Sequence, residues 1–372
     1  MAKYRIAWLP GDGVGVDVME ATRVVLDKMK IDAEYIHGDI GWEFWCSEGN
    51  PLPDRTIKIL KETDCALFGA ITSKPTDEAQ AELVPALQGK GLIYSSPIVR
   101  LRQEFNLRTN KRPCKAYPGN PLNFKDGIDI TVFRENTEDL YVGVEYFPIP
   151  KDLSALMASH NKKMKRFAEM PEGEVAMSCR LISKTASRNI IKDAFEEAKK
   201  TGKKAVTIVE KPNVLRETSG VFVREGRKLH SDYPGIELWE TNIDAMCMWL
   251  IKNPHDYSVI VTSNMFGDII SDLCAQLVGG LGFASSGNIG DKYAVFEPTH
   301  GSAPKYAGQY KVNPMATFLA AKLMLEWLGE MKQADRLETA IAEVIKEGKA
   351  RTYDMGGKSS TMDIATAVAA KL

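Results

Sequence analysis

Ile6-Ala7-Trp8-Leu9-Pro10-Gly11-Asp12-Gly13-Val14-Gly15-Val16 joins an apolar run to a glycine-rich turn and the start of a helix. Ile6 to Leu9 reads as a strand. Apolar residues at Val18, Ala21, Val24, Val25 and Met29 then follow a helical spacing. Outward along the chain, Ala33 to Ile36 reads as a second strand, Leu52 to Lys61 as a helix, and Cys65 to Gly69 as a buried strand. Strand alternating with helix predicts an α/β sheet. The glycine turn invites a dinucleotide-fingerprint reading, with Glu34 as the ribose acid. The third glycine falls one place early, however, and Asp12 would bring negative charge towards a pyrophosphate. A tight strand-to-helix turn explains these residues at least as well.

The middle of the chain is different. Ile128 to Arg134 is β-rich and leads into a Pro-broken stretch at Phe147-Pro148-Ile149-Pro150. Asp152 to Glu174 is polar and Met-rich without a clean period, as expected of a mobile or partner-contacting insertion. Thr185 to Lys200 and Gln333 to Glu347 have helical spacing. Ala205 to Glu210 and Ser258 to Thr262 read as buried strands. The expected division is one sheet domain built from 1–99 and 251–372, with a second domain, 100–250, inserted between them.

Composition excludes several classes. The chain has 372 residues, 48 basic against 49 acidic, and a net charge of -1, so no basic excess points to nucleic acid. No apolar run approaches the roughly 20 residues needed to span a bilayer, and the N-terminal one is too short for a secretory signal. The 6 cysteines form no C-x-x-C pair, so free thiols in a reducing cytoplasm are expected.

Asn264-Met265-Phe266-Gly267-Asp268-Ile269-Ile270-Ser271-Asp272 carries the sharpest chemistry. Asp268 and Asp272 are four apart and share one helical face, where like charges repel unless neutralised. Mg²⁺ or Mn²⁺, which prefer carboxylate oxygens, would neutralise them, with Asp244 as a third ligand. From spacing alone, a capping Asp268 and a solvated Asp272 stand level with that reading.

With Gly279-Gly280-Leu281-Gly282 behind it, the stretch resembles the signature of the β-decarboxylating dehydrogenases, which act on isocitrate, homoisocitrate, 3-isopropylmalate or tartrate. The resemblance runs from Pro10-Gly11-Asp12-Gly13 to Tyr353-Asp354-Met355-Gly356-Gly357. It implies an isocitrate/isopropylmalate dehydrogenase-like α/β fold rather than a true Rossmann fold. A large cofactor-side domain carries an inserted smaller α/β domain for substrate and dimerisation, with a clasp-like insertion near 145–180. Arg102, Arg112 and Arg134 would grip substrate carboxylates, as guanidinium forks do. Tyr141, in Glu135-Asn136-Thr137-Glu138-Asp139-Leu140-Tyr141, would be the general acid. Lys211 would be the base, and Lys211 and Asp244 would reach across a homodimer interface.

The resemblance also moves the cofactor site to Phe296-Glu297-Pro298-Thr299-His300-Gly301-Ser302-Ala303-Pro304. Glu297, His300, Gly301, Ser302 and Ala303 belong to that loop; Lys305, Tyr306, Val312, Asn313 and Tyr353 would surround the adenosine, with Thr72 and Asn213 near the nicotinamide. A cation and a phenol at Lys305-Tyr306 suit the 2′-phosphate of NADP better than NAD, although Gly357 stands where NADP-linked isocitrate enzymes place an arginine. Ser96 offers a hydroxyl to a substrate carboxylate, favouring isocitrate, a tricarboxylate. Ile98 and the Ser-Ser-Pro-Ile-Val string resemble homoisocitrate enzymes, the second choice; 3-isopropylmalate would need an apolar pocket. A non-catalytic regulatory subunit is the reading from another class, and the intact set of arginines, Tyr141, Lys211 and aspartates argues against it.

Overall fold

In the computed structural model, which describes residues 2–372, the opening stretch forms strand β1 (Tyr4–Gly11), and the helix Val14–Met29 follows the glycine turn. That helix buries Val18, Ala21, Val25 and Met29 but leaves Val24 at its edge. The next strands are β2 (Ala33–His37), β3 (Cys65–Ala70), β4 (Thr109–Lys115) and β5 (Asp129–Glu135). Then come β6 (Glu145–Tyr146), β7 (Met177–Ser178), β8 (Ala205–Glu210) and β9 (Glu237–Asn242). The last are β10 (Val259–Thr262), β11 (Ser285–Ile289) and β12 (Ala294–Pro298).

Ten strands make one sheet in the order β2-β1-β3-β12-β11-β4-β5-β10-β8-β9. Pairing is parallel at both ends and antiparallel from β12 through β11 and β4 to β5. This is not the Rossmann order 3-2-1-4-5-6. β10 lies between β5 and β8, although the sequence division placed it with the outer domain. Its four residues are all buried, and an apolar run of this kind carries no mark of which neighbours it pairs with.

The helices Val14–Met29, Met315–Trp327, Met331–Glu347 and Thr361–Ala369 enclose one core against β1, β3 and β12. The helices Ile243–Lys252 and Asn264–Leu277 enclose another against β4, β5 and β10. β6 and β7 pair antiparallel and bracket the insertion, whose helices Lys151–His160 and Lys165–Ala168 bury no residue. With no core to face, these helices have no reason to keep an apolar period. All six cysteines are free, and no helix of the described residues is long and apolar enough to cross a membrane.

Glu338 ties the C-terminal helices to β4, accepting from Lys115 at 2.6 Å and pairing with Lys322 at 3.1 Å. Burial alone would raise its pKa, but the two lysines hold it at about 2 against an ordinary 4.5. A depressed carboxylate stabilises the fold above its unfolded pKa and loses that contribution as pH falls towards the folded value. Glu338→Gln therefore lowers unfolding free energy by about 2 kcal/mol at pH 7. In denaturant titrations the gap from the parent should narrow steadily below about pH 4.5.

Candidate active site

The helix Asn264–Leu277 starts where Met265 N donates to the buried Asp139 carboxylate at 3.1 Å. Ile270, Cys274 and Leu277 bury its apolar face. Gly267 lets strand β5 come close, since a Cβ there would meet the Arg134 Cγ at 2.5 Å. The Arg134 stem thus lies against the helix, and Arg134 Nε donates to Asn264 Oδ1 at 2.9 Å while Nη1 donates to Asp268 Oδ1. Arg112, from β4, donates to Ser271 Oγ at 2.7 Å and pairs with Asp272 at 3.2 Å and Asp268 at 3.6 Å. Tyr141 donates to Asp268 Oδ2 at 2.5 Å, and the Arg134 guanidinium lies 4.8 Å from its ring centroid.

Burial works against the Asp268 carboxylate, but Arg134, the Tyr141 hydroxyl, Arg112 and Arg102 outweigh it and hold its pKa below the ordinary value. Asp272 is pushed up, burial outweighing Arg112. Burial likewise raises the Tyr141 phenol, which therefore keeps its proton at neutral pH. Arg134 is pulled down to about 10 by burial and by the two neighbouring guanidiniums. Its Nη2 is buried with no hydrogen-bond partner. An unpaired buried donor in a cluster of guanidiniums fits an anionic ligand that supplies the acceptor.

Buried amides, to which the sequence reading gave no role, hold the arginines. Asn288 Oδ1 accepts from Arg102 Nε at 3.0 Å, Asn110 Nδ2 at 2.8 Å and Asn136 Nδ2 at 3.0 Å, and Asn288 donates to Glu297 at 2.7 Å. Asn110 Oδ1 accepts from Arg112 Nε at 2.8 Å. Glu297, expected in the nucleotide loop, therefore faces Arg102, with which it pairs at 3.7 Å. The only sequence trace of this network is an asparagine inside a short strand, which is weak punctuation at best.

Lys211, beyond the end of β8, pairs with Asp244 at the start of the helix Ile243–Lys252. Among the described residues neither has a hydrogen bond or ion pair to Asp268, Asp272 or Tyr141, and no three carboxylate, His or Cys side chains cluster as a metal site. Asp268 and Asp272 fit a hard cation as two oxygen ligands, and Asp244 is not brought to them within one chain. Asn213 is exposed and makes no side-chain hydrogen bond among the described residues.

A cleft of about 360 Å³ is lined by Val14, Leu281, Gly282, His300, Gly301, Ala303, Tyr306, Val312, Asn313, Tyr353 and Asp354. Most of the expected nucleotide residues thus meet on one surface. Burial keeps the His300 imidazole below its ordinary pKa, and its Nε2 has no partner, which suits a neutral ring against a bound base. Lys305 Nζ lies 4.8 Å from the Tyr306 ring centroid. Lys311, not singled out from the sequence, lies 5.4 Å from Tyr306 and 5.1 Å from Tyr353. Position 357 has no room for a side chain, because a Cβ would meet Arg351 O at 2.0 Å. Ser302 bonds Thr72 Oγ1 at 2.6 Å.

The glycine turn is a wall of this cleft, not a phosphate cradle. Its amides turn inward: Asp12 N donates to Ala70 O at 2.7 Å and Val14 N to Ser302 O at 2.8 Å. The Asp12 carboxylate accepts from Trp42 N at 2.7 Å and Thr72 N at 2.8 Å.

The sequence profile of the isocitrate/isopropylmalate dehydrogenases matches residues 5–368. The chain belongs to this family. It is a decarboxylating hydroxy-acid dehydrogenase, in a family that uses NAD(P) and a divalent metal ion. It is 43% identical to protein DlpA of Legionella pneumophila over 98% of its own length, spanning 58% of that protein. It is 41% identical to a 3-isopropylmalate dehydrogenase of Methanothermobacter thermautotrophicus, over 100% of this chain and 99% of that one. An isocitrate/homoisocitrate dehydrogenase of Thermus thermophilus is 38% identical over 98% of this chain and 97% of its own. The crystal structure of isocitrate dehydrogenase from Methylococcus capsulatus superposes with a TM-score of 0.85 at 34% identity, covering 99% of both chains.

Proposed function

We propose that this family member oxidises and decarboxylates isocitrate to 2-oxoglutarate with NADP and Mg²⁺ or Mn²⁺, as a homodimer with shared active sites. The observation that carries the substrate choice is Ser96. It stands at the N-terminal end of the helix Pro97–Glu104, which carries Arg102, and its hydroxyl has no hydrogen-bond partner among the described residues. A free hydroxyl beside a helix N-terminus favours a carboxylate. Ile98, two residues further on, packs against the core under β1 and β3, so it is drawn away from the substrate.

In this reading the three arginines bind and orient the substrate's carboxylates, and the unpaired Arg134 Nη2 gains its acceptor. Asp268 and Asp272 would hold the cation, which would supply Lewis-acid polarisation, and the nucleotide would supply the hydride acceptor. Lys211 takes the hydroxyl proton. After CO₂ departs, Tyr141 delivers its proton to the carbon. Asp268, as acceptor of the Tyr141 hydroxyl, orients that proton.

The homodimer is supported by apolar side chains on the helices that carry the three aspartates. Met248, Ile251 and Ile269 are about half exposed, and Met265 is also open. A second copy laid on that face would cover them and bring its own Lys211 and Asp244 towards this chain's Asp268 and Asp272.

Two cations beside paired phenols, with no free carboxylate among them, favour a 2′-phosphate; Asp354 is engaged by Asn313 at 3.1 Å and by Thr352. Lys305→Asp should raise KM for NADP about 10- to 100-fold, the loss of one charge-assisted contact, and leave NAD kinetics nearly unchanged. Steady-state kinetics with both nucleotides check this.

Homoisocitrate is the second reading, favoured by the Thermus relative that bears both names. Initial rates with isocitrate, homoisocitrate, 3-isopropylmalate and tartrate, each with NAD and NADP, decide between them. Isocitrate with NADP should give the highest kcat/KM, and a preference for 3-isopropylmalate would overturn the role of Ser96.

A further inference from the structure

We propose that Arg180 is a positioning residue that fixes Tyr141, Lys211 and the Asp268 helix relative to one another, which rests on the roles given to those residues above. Arg180 follows β7, outside every motif discussed so far, and its side chain is 12% exposed. Its Nε donates to Asp139 Oδ1 at 2.6 Å. Its Nη2 donates to Ser263 Oγ at 2.7 Å and Glu210 Oε2 at 3.3 Å, and its Nη1 donates to Thr218 Oγ1 at 3.0 Å and Ser219 Oγ at 3.1 Å. The guanidinium also lies 4.9 Å from the Phe266 ring centroid.

The partners fall on three arms of the site. Asp139 precedes Tyr141 by two residues and also accepts from Met265 N at the helix start. Glu210 directly precedes Lys211 and accepts from Ser263 N at 3.0 Å. Ser219 Oγ accepts from Lys211 N at 3.3 Å and donates to Glu210 at 2.5 Å. Ser263 is the residue before the helix that carries Asp268 and Asp272. One planar fork with five donors therefore joins three segments that are far apart in sequence. Asp139 and Glu210 are 0% and 1% exposed, so they need a cation. A lysine would supply the charge but not the fork. Arg180 has no hydrogen bond or ion pair to the residues lining the nucleotide cleft.

The test compares Arg180→Lys and Arg180→Ala with the parent, using isocitrate and NADP. Tyr141→Phe and Lys211→Met serve as controls. Misplacing reacting groups by an ångström lowers turnover about 10²-fold. Arg180→Ala should approach that loss and Arg180→Lys should lose about 10-fold, both with KM for NADP within about 2-fold of the parent. Millimolar methylguanidinium should restore part of kcat to Arg180→Ala. If the alanine variant does not fold, Arg180→Lys alone decides: lowered kcat in a protein with the parent's melting temperature supports the proposal. Parent-like kcat in Arg180→Lys overturns it, as does a loss that follows the unfolded fraction without rescue. If Tyr141→Phe and Lys211→Met themselves keep full turnover, the underlying reading of the site fails, and the proposal with it.

Discussion

Replacing Asp268 with Asn should lower kcat by about 10³-fold or more, because in the proposed reading one carboxylate serves both the cation and Tyr141. The change keeps the shape of the side chain and removes its charge. Asp268 pairs with Arg134 and Arg112 and accepts the Tyr141 hydroxyl at 2.5 Å. With an amide in its place, a bound cation would lose one of two anionic ligands on this helix, and the Tyr141 hydroxyl would face a neutral amide in place of a carboxylate. Stability should fall much less. Arg134 keeps its bond to Asn264, and the Asp268 side chain is 40% exposed, so a deficit of about 1–2 kcal/mol is expected. Mg²⁺ titration of turnover, together with denaturant unfolding, separates the two effects. Cation-dependent turnover near the parent level would remove Asp268 from the ligand set.

Lys211→Met should lower kcat by about 10²- to 10⁴-fold, the range for loss of a general base. More tellingly, unfolding and refolding it together with Asp268→Asn should recover activity. Lys211 pairs with Asp244, whose side chain is 67% exposed, and among the described residues no hydrogen bond or ion pair joins either to Asp268 within one chain. If a second copy brings them together, a mixed dimer has one site with both defects and one with neither. Random pairing makes half of the dimers mixed, so about a quarter of the parent's sites should return. Each variant refolded alone should stay inactive. A mixture no more active than its components would show that each site is built within one chain.

Much of this was legible in the sequence, for definite physical reasons. Strands β3 and β8 read as buried runs because strands paired parallel on both sides are covered on both faces, and the helices Lys184–Thr201 and Met331–Glu347 keep their period because each buries one face. Arg112 and Arg134 pair with Asp268 on the carboxylate helix, and Arg102 lies near enough to help lower the Asp268 pKa. What was illegible lies mostly in pairings between distant segments. Nothing local marks β10 as a partner of β5 and β8, or Asn288 as the acceptor for three donors. Nothing local marks Arg180 either, because its partners come from Asp139, Glu210 and Ser263. The glycine turn invited a phosphate reading that its early third glycine and Asp12 already argued against, and its amides are spent on Ala70 and Ser302 while Asp12 is spent on Trp42 and Thr72.

The most direct measurement is the stoichiometry of one reaction: isocitrate and NADP with Mg²⁺, followed for NADPH, CO₂ and 2-oxoglutarate, with an EDTA-treated sample alongside. The account predicts equal amounts of the three products and no turnover after EDTA until Mg²⁺ is restored. NADPH formed without CO₂, or undiminished turnover in EDTA, would contradict it.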